Sequence, residues 1–381
     1  MMRDTIPGDE LLRKAHAIGQ YYGFVPFATL SAGTRGEKKD RSQKTLDMLA
    51  GLTLDPVAEA VASFLKQCES AAVVPSPRHP LFIWHTNVTA GRPAPKKALV
   101  QFHAIGADRA IADAVVIRAL AALVEDLYHT RPVVRINSMG DKETRARYAR
   151  ELGSFFKKRA ASMPEECVAC AREDAIGAAE LAIERACAED LPAPTDHLSD
   201  ASRKRFEDLL EYLETTGTPY ELARDLVSRG SAWSETCFEL KVDDKRVAWG
   251  SRYSDLARHF FPVATPAMVG VLQAPSGGGI VTKPSNMKVR FAFVHIGDEA
   301  KHCAIQLVEE LKRARVPVAQ DIGIESLTEQ LLLAEKRNPS HLVIMGRKEA
   351  LEGSAILRDR STQEETIIPL GSLVEELKAT V

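Results

Sequence analysis

The sequence contains no long hydrophobic run. None of its 381 residues falls in an uninterrupted apolar stretch of about 18 or more, the length that a helix needs to cross a bilayer. The opening segment, residues 1–7, also lacks the apolar centre of a signal peptide. From these two absences we expect a cytoplasmic protein without a membrane partner.

Cysteine is scarce as well. Six cysteines are scattered along the chain, which excludes the dense disulfide framework that stabilises short secreted domains. Cys167 and Cys170 form one CxxC motif, but a structural zinc site needs two further ligands at similar spacing, and none stands out nearby in the sequence. We therefore expect no metal and interpret both as ordinary helix or loop cysteines.

Neither sign of charge is in clear excess. The chain has 50 Lys and Arg residues against 52 Asp and Glu residues, a formal net charge of -2 at pH 7. This balance argues against a protein that holds nucleic acid by bulk positive charge, although a local basic groove remains compatible with it. With 45% hydrophobic and 27% charged residues, the composition is that of an ordinary soluble globular protein.

The length predicts two domains, because 381 residues exceed what one hydrophobic core usually serves. The segment 274–286 is rich in glycine and proline and is predicted to be a linker. Beyond it, residues 287–381 alternate short apolar strands with amphipathic helices, and Ser326 with Glu329 forms a capping-box signature. This pattern predicts a C-terminal α/β domain with a mixed sheet.

Residues 1–273 show a less regular order. A long helix is predicted over 111–127, and strands are predicted at 81–84 and 98–104, among others, with uneven helical segments between them. A helical and polar insertion is expected at about 160–225. The order favours an α+β fold in which an antiparallel sheet is backed by helices.

Short motifs occur along the whole chain in a recognisable order: Arg3–Pro7 and Tyr21–Phe24, Gly91–Arg92 and Gln101–Gly106, Asp113–Ile117, Ile136–Asp141, Leu226–Gly230 and Thr236–Glu239, and Gly250–Tyr253. In this order they resemble histidyl-tRNA synthetases, and residues 287–381 resemble the anticodon-binding domain of histidyl, glycyl, threonyl and prolyl enzymes. The resemblance implies a class II synthetase-like core. It also implies a homodimer that pairs through the helix at 9–22, although Leu30 stands where the first motif has its proline.

The sequence departs from that family at the positions that hold phosphate. The second-motif triplet with its phosphate-binding arginine corresponds to Trp84-His85-Thr86, and the third motif corresponds to 270–275, so neither place has an arginine. Losing two preorganised charge contacts would slow formation of the aminoacyl adenylate by ~10⁴-fold or more. We therefore expect no competent aminoacyl-tRNA ligase. ATP and Mg²⁺ are expected as cofactors only if other arginines replace the lost ones.

The resemblance further implies a ligand pocket in which part of the family's set is kept. Its members are Gln101, Asp108, Arg229, Trp233, Arg252 and Tyr253. Arg229 and Arg252 are the residual catalytic candidates, and Arg229 matches only if the alignment shifts by one residue. For Arg252 and Tyr253 a structural pair at a strand turn remains the alternative, and for Gln101 a core or solvated side chain is the simpler interpretation.

Basic residues of the C-terminal domain occur in pairs that could bind an RNA backbone if they share one face. They are Lys336, Arg337, Arg347, Lys348, Arg358 and Arg360.

Three functions remain open. The leading hypothesis is a histidyl-tRNA-synthetase-like paralogue without normal aminoacylation activity that binds tRNA or other RNA or acts as a regulatory protein. One alternative is a divergent but active histidine-tRNA ligase. The other is a regulatory subunit of ATP phosphoribosyltransferase, which is disfavoured because the C-terminal domain is complete here.

Overall fold

The computed structural model describes residues 6–31, 56–88, 97–227, 232–261, 265–275 and 289–380. Within these ranges the chain forms one eight-stranded and one five-stranded sheet, each with its own helices. No helix in these ranges is both long and apolar enough to cross a membrane.

The first sheet and its helices are formed by the residues before the predicted linker. The helices are α1 Gly8–Tyr21, α2 Phe27–Ser31, α3 Pro56–Ser70, α4 Ala110–Tyr128, α5 Lys142–Lys158, α6 Glu165–Cys170, α7 Ala175–Glu184, α8 Asp200–Thr215 and α9 Ser254–Ala257, with a 3₁₀ turn at Pro194–His197. The strands are β1 Val25–Pro26, β2 Leu81–Val88, β3 Lys97–Ile105, β4 Val133–Ser138, β5 Tyr220–Leu222, β6 Ser234–Val242, β7 Lys245–Arg252 and β8 Ala267–Pro275. Cys167 and Cys170 both lie on the short helix α6.

The strand order of this sheet is β1-β2-β3-β8-β7-β6-β4-β5. The six central strands pair antiparallel, as predicted, whereas the short edge strands β1 and β5 pair parallel with β2 and β4. The sheet is therefore mixed at its edges. Strand β8 continues to Pro275, so the first two residues of the predicted linker belong to a strand, and the rest of that segment lies outside the described residues.

Helix α4 is buried along most of its length, which explains why its sequence is apolar on almost every side. It packs against β8, α1 and α8 on one face of the sheet. Helix α3 covers the other face, where Phe64 and Leu65 are fully buried. The sheet thus has a hydrophobic cluster on each face, and side chains from alternate strand positions enter one or the other.

The C-terminal part forms the five-stranded mixed sheet that the sequence predicts. Its order is β10-β9-β11-β12-β13, in which β10, β9 and β11 are parallel and the remaining pairs antiparallel. Its strands are β9 Phe291–His295, β10 Val318–Gln320, β11 His341–Met345, β12 Ser354–Asp359 and β13 Glu365–Pro369, and its helices are α10 Asp298–Arg313, α11 Leu327–Arg337, α12 Arg347–Leu351 and α13 Leu370–Ala379. Ser326 accepts a hydrogen bond from the Glu329 amide, so the predicted cap of α11 is present.

Candidate functional site

A cleft of about 330 Å³ opens beside the start of α5 and the ends of β6 and β7. We call it the charged cleft, because its lining includes Asp108, Arg145, Arg205, Glu235, Arg252 and Arg258. Two of the six ligand-pocket residues predicted from the sequence, Asp108 and Arg252, therefore lie together here. Of the other four, Gln101, Trp233 and Tyr253 do not line it, and Arg229 lies outside the described residues.

Arg252 is held by internal contacts. Its side chain is 1% exposed, its Nε donates to Asp113 Oδ2 at 3.0 Å, and Nη2 lies 2.8 Å from Asp113 Oδ1. Nη2 also donates to the carbonyl oxygens of Ala107 and Asp108. These acceptors engage Nε and Nη2, so Arg252 fixes the start of α4 to the sheet. Nη1 lies 3.9 Å from Asp108 Oδ1 and is the part of the group that retains donors for a ligand.

Gln101 and Tyr253 belong to a buried hydrogen-bonded chain that is separate from the cleft. His103 Nδ1 lies 2.9 Å from Tyr253 Oη, and His103 Nε2 lies 3.2 Å from Gln101 Oε1. Phe64 stacks on the imidazole with ring centroids 4.1 Å apart. Burial, with a smaller contribution from His85, holds the pKa of His103 well below its usual value. The neutral imidazole is thus a satisfied core group.

Trp233 is also a core residue. Its side chain is 2% exposed and meets Trp249 edge to face, with ring centroids 5.1 Å apart. Its carbonyl oxygen accepts a hydrogen bond from Arg145 Nη1 at 2.8 Å. Trp233 therefore contributes backbone, rather than its indole, to the neighbourhood of the charged cleft.

Glu235 is a cleft residue that the sequence analysis did not single out. It has φ +50°, a left-handed conformation that is uncommon for a residue with a side chain, and it lies at an irregularity in the pairing of β6 with β7. Ser202 Oγ donates to Glu235 Oε1 at 3.0 Å, while the buried Oε2 has no hydrogen-bond partner within the described ranges. Burial raises the pKa of this carboxyl group, against the opposing effects of Ser202 and Arg205. The available sequence signal was its place directly before Thr236–Glu239, one of the segments that carry the resemblance.

Most other charges of the cleft are paired. Arg145 bonds Asp255 at 2.6 Å, Arg258 lies 3.3 Å from the same carboxylate, and Arg205 bonds Asp108 at 2.5 Å. Bidentate phosphate binding needs guanidinium groups whose donors are available. The charged cleft therefore suits a small ligand that carries both a positive and a negative charge better than it suits a triphosphate.

Two positions that the resemblance aligns with phosphate-binding motifs lie in the packed core: Trp84, aligned with the second-motif arginine, and Gly270, where the segment aligned with the third motif begins. Trp84 is 5% exposed, its ring lies 5.9 Å from that of His16, and a Cβ on Gly19 would be 3.0 Å from Trp84 Cδ1. Gly270 lies under α4, where a Cβ would be 2.9 Å from Val116 Cγ1. Side chains of the first helix and of α4 thus occupy the space over both positions.

The predicted RNA-binding residues divide between the two ends of β11. Lys336, Arg337 and Arg360 lie at its start, where Arg360 donates to Asn338 Oδ1 at 3.1 Å. Arg347 and Lys348 follow its end, on α12. Arg358 is on β12 and pairs with Glu365. The six residues therefore do not share one face.

Arg290 is a basic residue that sequence reasoning missed. It lines a cleft at the start of β11 together with Arg337, Asn338 and Ser340. No local pattern marks Arg290, because it becomes part of this group only through the pairing of β9 with β11. We call Arg290, Lys336, Arg337 and Arg360 the basic cluster.

Among the described residues, no three His, Cys, Asp or Glu side chains are grouped as a metal ion would require.

Comparison with known proteins finds similarity along most of the chain. Residues 288–380 match the family described as anticodon binding domain. The histidine-tRNA ligase of Geobacillus sp. (strain WCH70) is 27% identical over 366 residues, which cover 90% of this chain and 86% of that protein. The histidine-tRNA ligase of Geobacillus kaustophilus is 25% identical over 409 residues and covers 98% of this chain and 96% of that protein.

The similarity to solved structures is lower. Apo histidyl-tRNA synthetase of S. aureus has a TM-score of 0.44 and 20% identity, covering 85% of this chain and 82% of that one. An ATP phosphoribosyltransferase regulatory subunit/histidyl-tRNA synthetase from Bacillus halodurans has a TM-score of 0.43 and 16% identity, covering 91% and 97%. On the sequence relatives and the matched domain, the chain is a histidyl-tRNA-synthetase-like protein of class II with a C-terminal anticodon-binding domain.

Proposed function

We propose that this protein is a non-charging paralogue of histidyl-tRNA synthetases that binds tRNA or another RNA. The observation that carries the first half of the proposal is the burial of Trp84. An indole packed under α1 replaces the arginine that would hold the α-phosphate in the resembling family, and the equally arginine-free strand β8 packs directly on α4. Without cations at these positions, charge that develops on phosphate during adenylation is not stabilised.

ATP and Mg²⁺ do not fit the charged cleft. The arginines of the charged cleft are paired with Asp108, Asp113 and Asp255, and opening those pairs would leave carboxylates unpaired. We therefore derive no catalytic step through a nucleotide.

Amino acid activation provides the direct test. Pyrophosphate exchange should be measured with ATP and each of the amino acids, with an active histidine-tRNA ligase as positive control. We expect no exchange above background. Robust exchange with histidine would overturn the proposal, and ATP binding that is abolished by Arg229→Ala would instead favour a divergent ligase.

The second half of the proposal assigns RNA binding to the basic cluster. The matched anticodon-binding family supports this role, and so does the convergence of Arg290, Lys336, Arg337 and Arg360 at one end of the C-terminal sheet. Each phosphate that such side chains neutralise releases counterions, which makes affinity depend strongly on salt.

RNA binding can be tested with two charge-matched double variants. Lys336→Glu with Arg360→Glu reverses two charges in the basic cluster, and Arg347→Glu with Lys348→Glu reverses two at the opposite end of β11. Filter binding to total tRNA, combined with sequencing of co-purified RNA, should show a loss of about tenfold or more for the first variant only. Equal losses in both variants, or unchanged binding in the first, would contradict the assignment.

We also propose a homodimer, which the resemblance implies through α1 and β1. Mass measurement by light scattering at micromolar concentration tests it, and a mass near the 41.8 kDa of one chain would refute it.

A further inference from the structure

A second cleft lies where α1 and β1 of the core meet the C-terminal sheet. We call it the junction cleft. It has a volume of about 360 Å³, and its lining includes Gln20, Pro26, Gln320, Lys336 and Arg337. This volume is within the usual range for small-molecule sites. None of the described residues of the predicted ligand pocket lines it.

The cleft contains a buried acceptor whose orientation is fixed. Gln320 is 1% exposed, and its Nε2 donates to the carbonyl oxygen of Tyr21 at 3.0 Å. A carbonyl can only accept, so Nε2 must be the atom on that side, and Oε1 is left as the acceptor. Oε1 has no hydrogen-bond partner in the part of the chain that the structure describes.

Gln20, on α1, supplies a second such atom. Its Oε1 is buried and likewise lacks a partner among the described residues. Buried acceptors in folded proteins are nearly always paired. Two unpaired acceptors among the lining residues of one cleft therefore indicate a ligand that brings N–H donors.

The core and the C-terminal sheet are in close contact at the edge of the junction cleft. Gly23 has φ +81°, and a Cβ there would be 2.6 Å from the carbonyl oxygen of Gln320. Only glycine permits this approach, so the core and β10 meet through backbone at the edge of the cleft. The shape of the junction cleft therefore depends on backbone packing and not on the positions of flexible side chains.

Cationic side chains lie at the mouth of the cleft. Arg337 is held by Asp321, with Nη2 2.7 Å from Oδ1. Lys336 is exposed and makes no ion pair with any described residue, so its ammonium group remains available for an anion. Val25, Pro26 and Val289 provide apolar wall. A ligand that suits this lining has a flat ring for the apolar wall, N–H donors for the two glutamine acceptors and an anionic group for Lys336.

We propose that the junction cleft binds a nucleotide, whose base donates hydrogen bonds to Gln20 and Gln320 and whose phosphate contacts Lys336. The nucleotide is either free or an unpaired residue of an RNA chain, because both present the same groups. The inference does not require that the basic cluster bind RNA or that tRNA charging be lost. It concerns a site separate from the charged cleft.

Calorimetric titration of the full chain with AMP tests the free form, and titration with single-stranded oligoadenylate tests the RNA form. Ribose 5-phosphate, which lacks the base, is the ligand control. Gln20→Leu removes an acceptor and Lys336→Ala removes the cation. Lys348→Ala is the matched control, because Lys348 is an exposed lysine on α12, which follows the other end of β11.

We expect Gln20→Leu and Lys336→Ala each to weaken AMP binding by about tenfold, while Lys348→Ala leaves it unchanged. Binding of oligoadenylate but not AMP, with the same pattern of variants, assigns the site to RNA. The inference is overturned if neither ligand binds at millimolar concentration, if ribose 5-phosphate binds as tightly as AMP, or if both variants bind like wild type. Reversal of Arg360 separates the two proposals, because it weakens tRNA binding by the basic cluster and leaves AMP binding intact.

Discussion

Arg118 and Glu309 form a buried ion pair between the core and the C-terminal sheet. Arg118 Nε lies 2.7 Å from Glu309 Oε1, each side chain is 5% exposed, and the Tyr22 hydroxyl donates to the same carboxylate. The two residues are on α4 and α10, 191 positions apart in sequence. Their burial shows that the two parts of the chain share a desolvated contact.

We predict that Arg118→Met is strongly destabilising, because it leaves the Glu309 carboxylate buried without its cation. The expected loss is about 3–5 kcal/mol in the free energy of unfolding. The double variant Arg118→Met with Glu309→Leu should lose much less, since neither charge is then left alone. Urea unfolding of the two single variants and the double variant measures this coupling. If the losses of the two single variants simply add in the double variant, the predicted coupling between Arg118 and Glu309 is refuted.

Glu235 provides a prediction about pH. Burial raises the pKa of its carboxyl group in the folded state, so ionisation opposes folding. The folded state then binds more protons than the unfolded state, and stability falls as pH rises from the unfolded pKa, about 4.5, toward the folded one. Glu235→Gln should therefore stabilise the protein at pH 7 and have little effect below about pH 4.

The measurement for Glu235 is thermal unfolding of wild type and Glu235→Gln between pH 4 and 8. Glu221→Gln is the control, because Glu221 is exposed on the edge strand β5. A melting temperature of Glu235→Gln that stays below wild type at pH 7 would contradict the prediction.

The contribution of His295 to stability depends on pH in the opposite direction to that of Glu235. It is fully buried at the end of β9, and neither ring nitrogen has a hydrogen-bond partner among the described residues. Burial, with the charge of Lys301, lowers its pKa to about 4. For a base with a depressed folded pKa, stability is complete above the unfolded value of 6.5 and is lost as pH falls toward 4.

His295→Leu should therefore flatten the decline in stability between pH 6.5 and 4 and should not lower stability at pH 7. Chemical unfolding of both proteins at several pH values in that window checks this. His302→Leu is a suitable comparison, because His302 lies on α10 and its ring stacks on that of Tyr212, with centroids 4.1 Å apart. An unchanged slope for His295→Leu would show that other groups cause the acid sensitivity.

Sequence reasoning was most successful where a pattern is local and repeated. The apolar periodicity of α4, the alternating strands β2 and β3, and the Ser326 cap all predict elements that the structure contains. These features depend on neighbours within a few residues, so the sequence carries the full signal.

The candidate sites were less predictable, because their contacts join distant positions. His103 meets Tyr253 across 150 residues, which turns Gln101 and Tyr253 from ligand candidates into core residues. Glu235 becomes a cleft residue through an irregular strand pairing, and Gln320 becomes an oriented acceptor through Tyr21. The sequence contains no spacing pattern that predicts any of these contacts.

The core packing of Trp84 decides what would happen if the lost arginine were restored. Trp84→Arg would place a guanidinium group under α1, beside Gly19 and His16, where the buried Trp84 Nε1 has no hydrogen-bond partner among the described residues. Burying an unpaired charge and losing a large aromatic side chain should together cost at least ~3 kcal/mol. We therefore expect a lower melting temperature and no gain in pyrophosphate exchange. Trp84→Phe, which keeps an apolar ring, should retain most of the stability. Measurable exchange in Trp84→Arg at unchanged stability would mean that the position faces a usable ATP site and that a single substitution separates this chain from an active ligase.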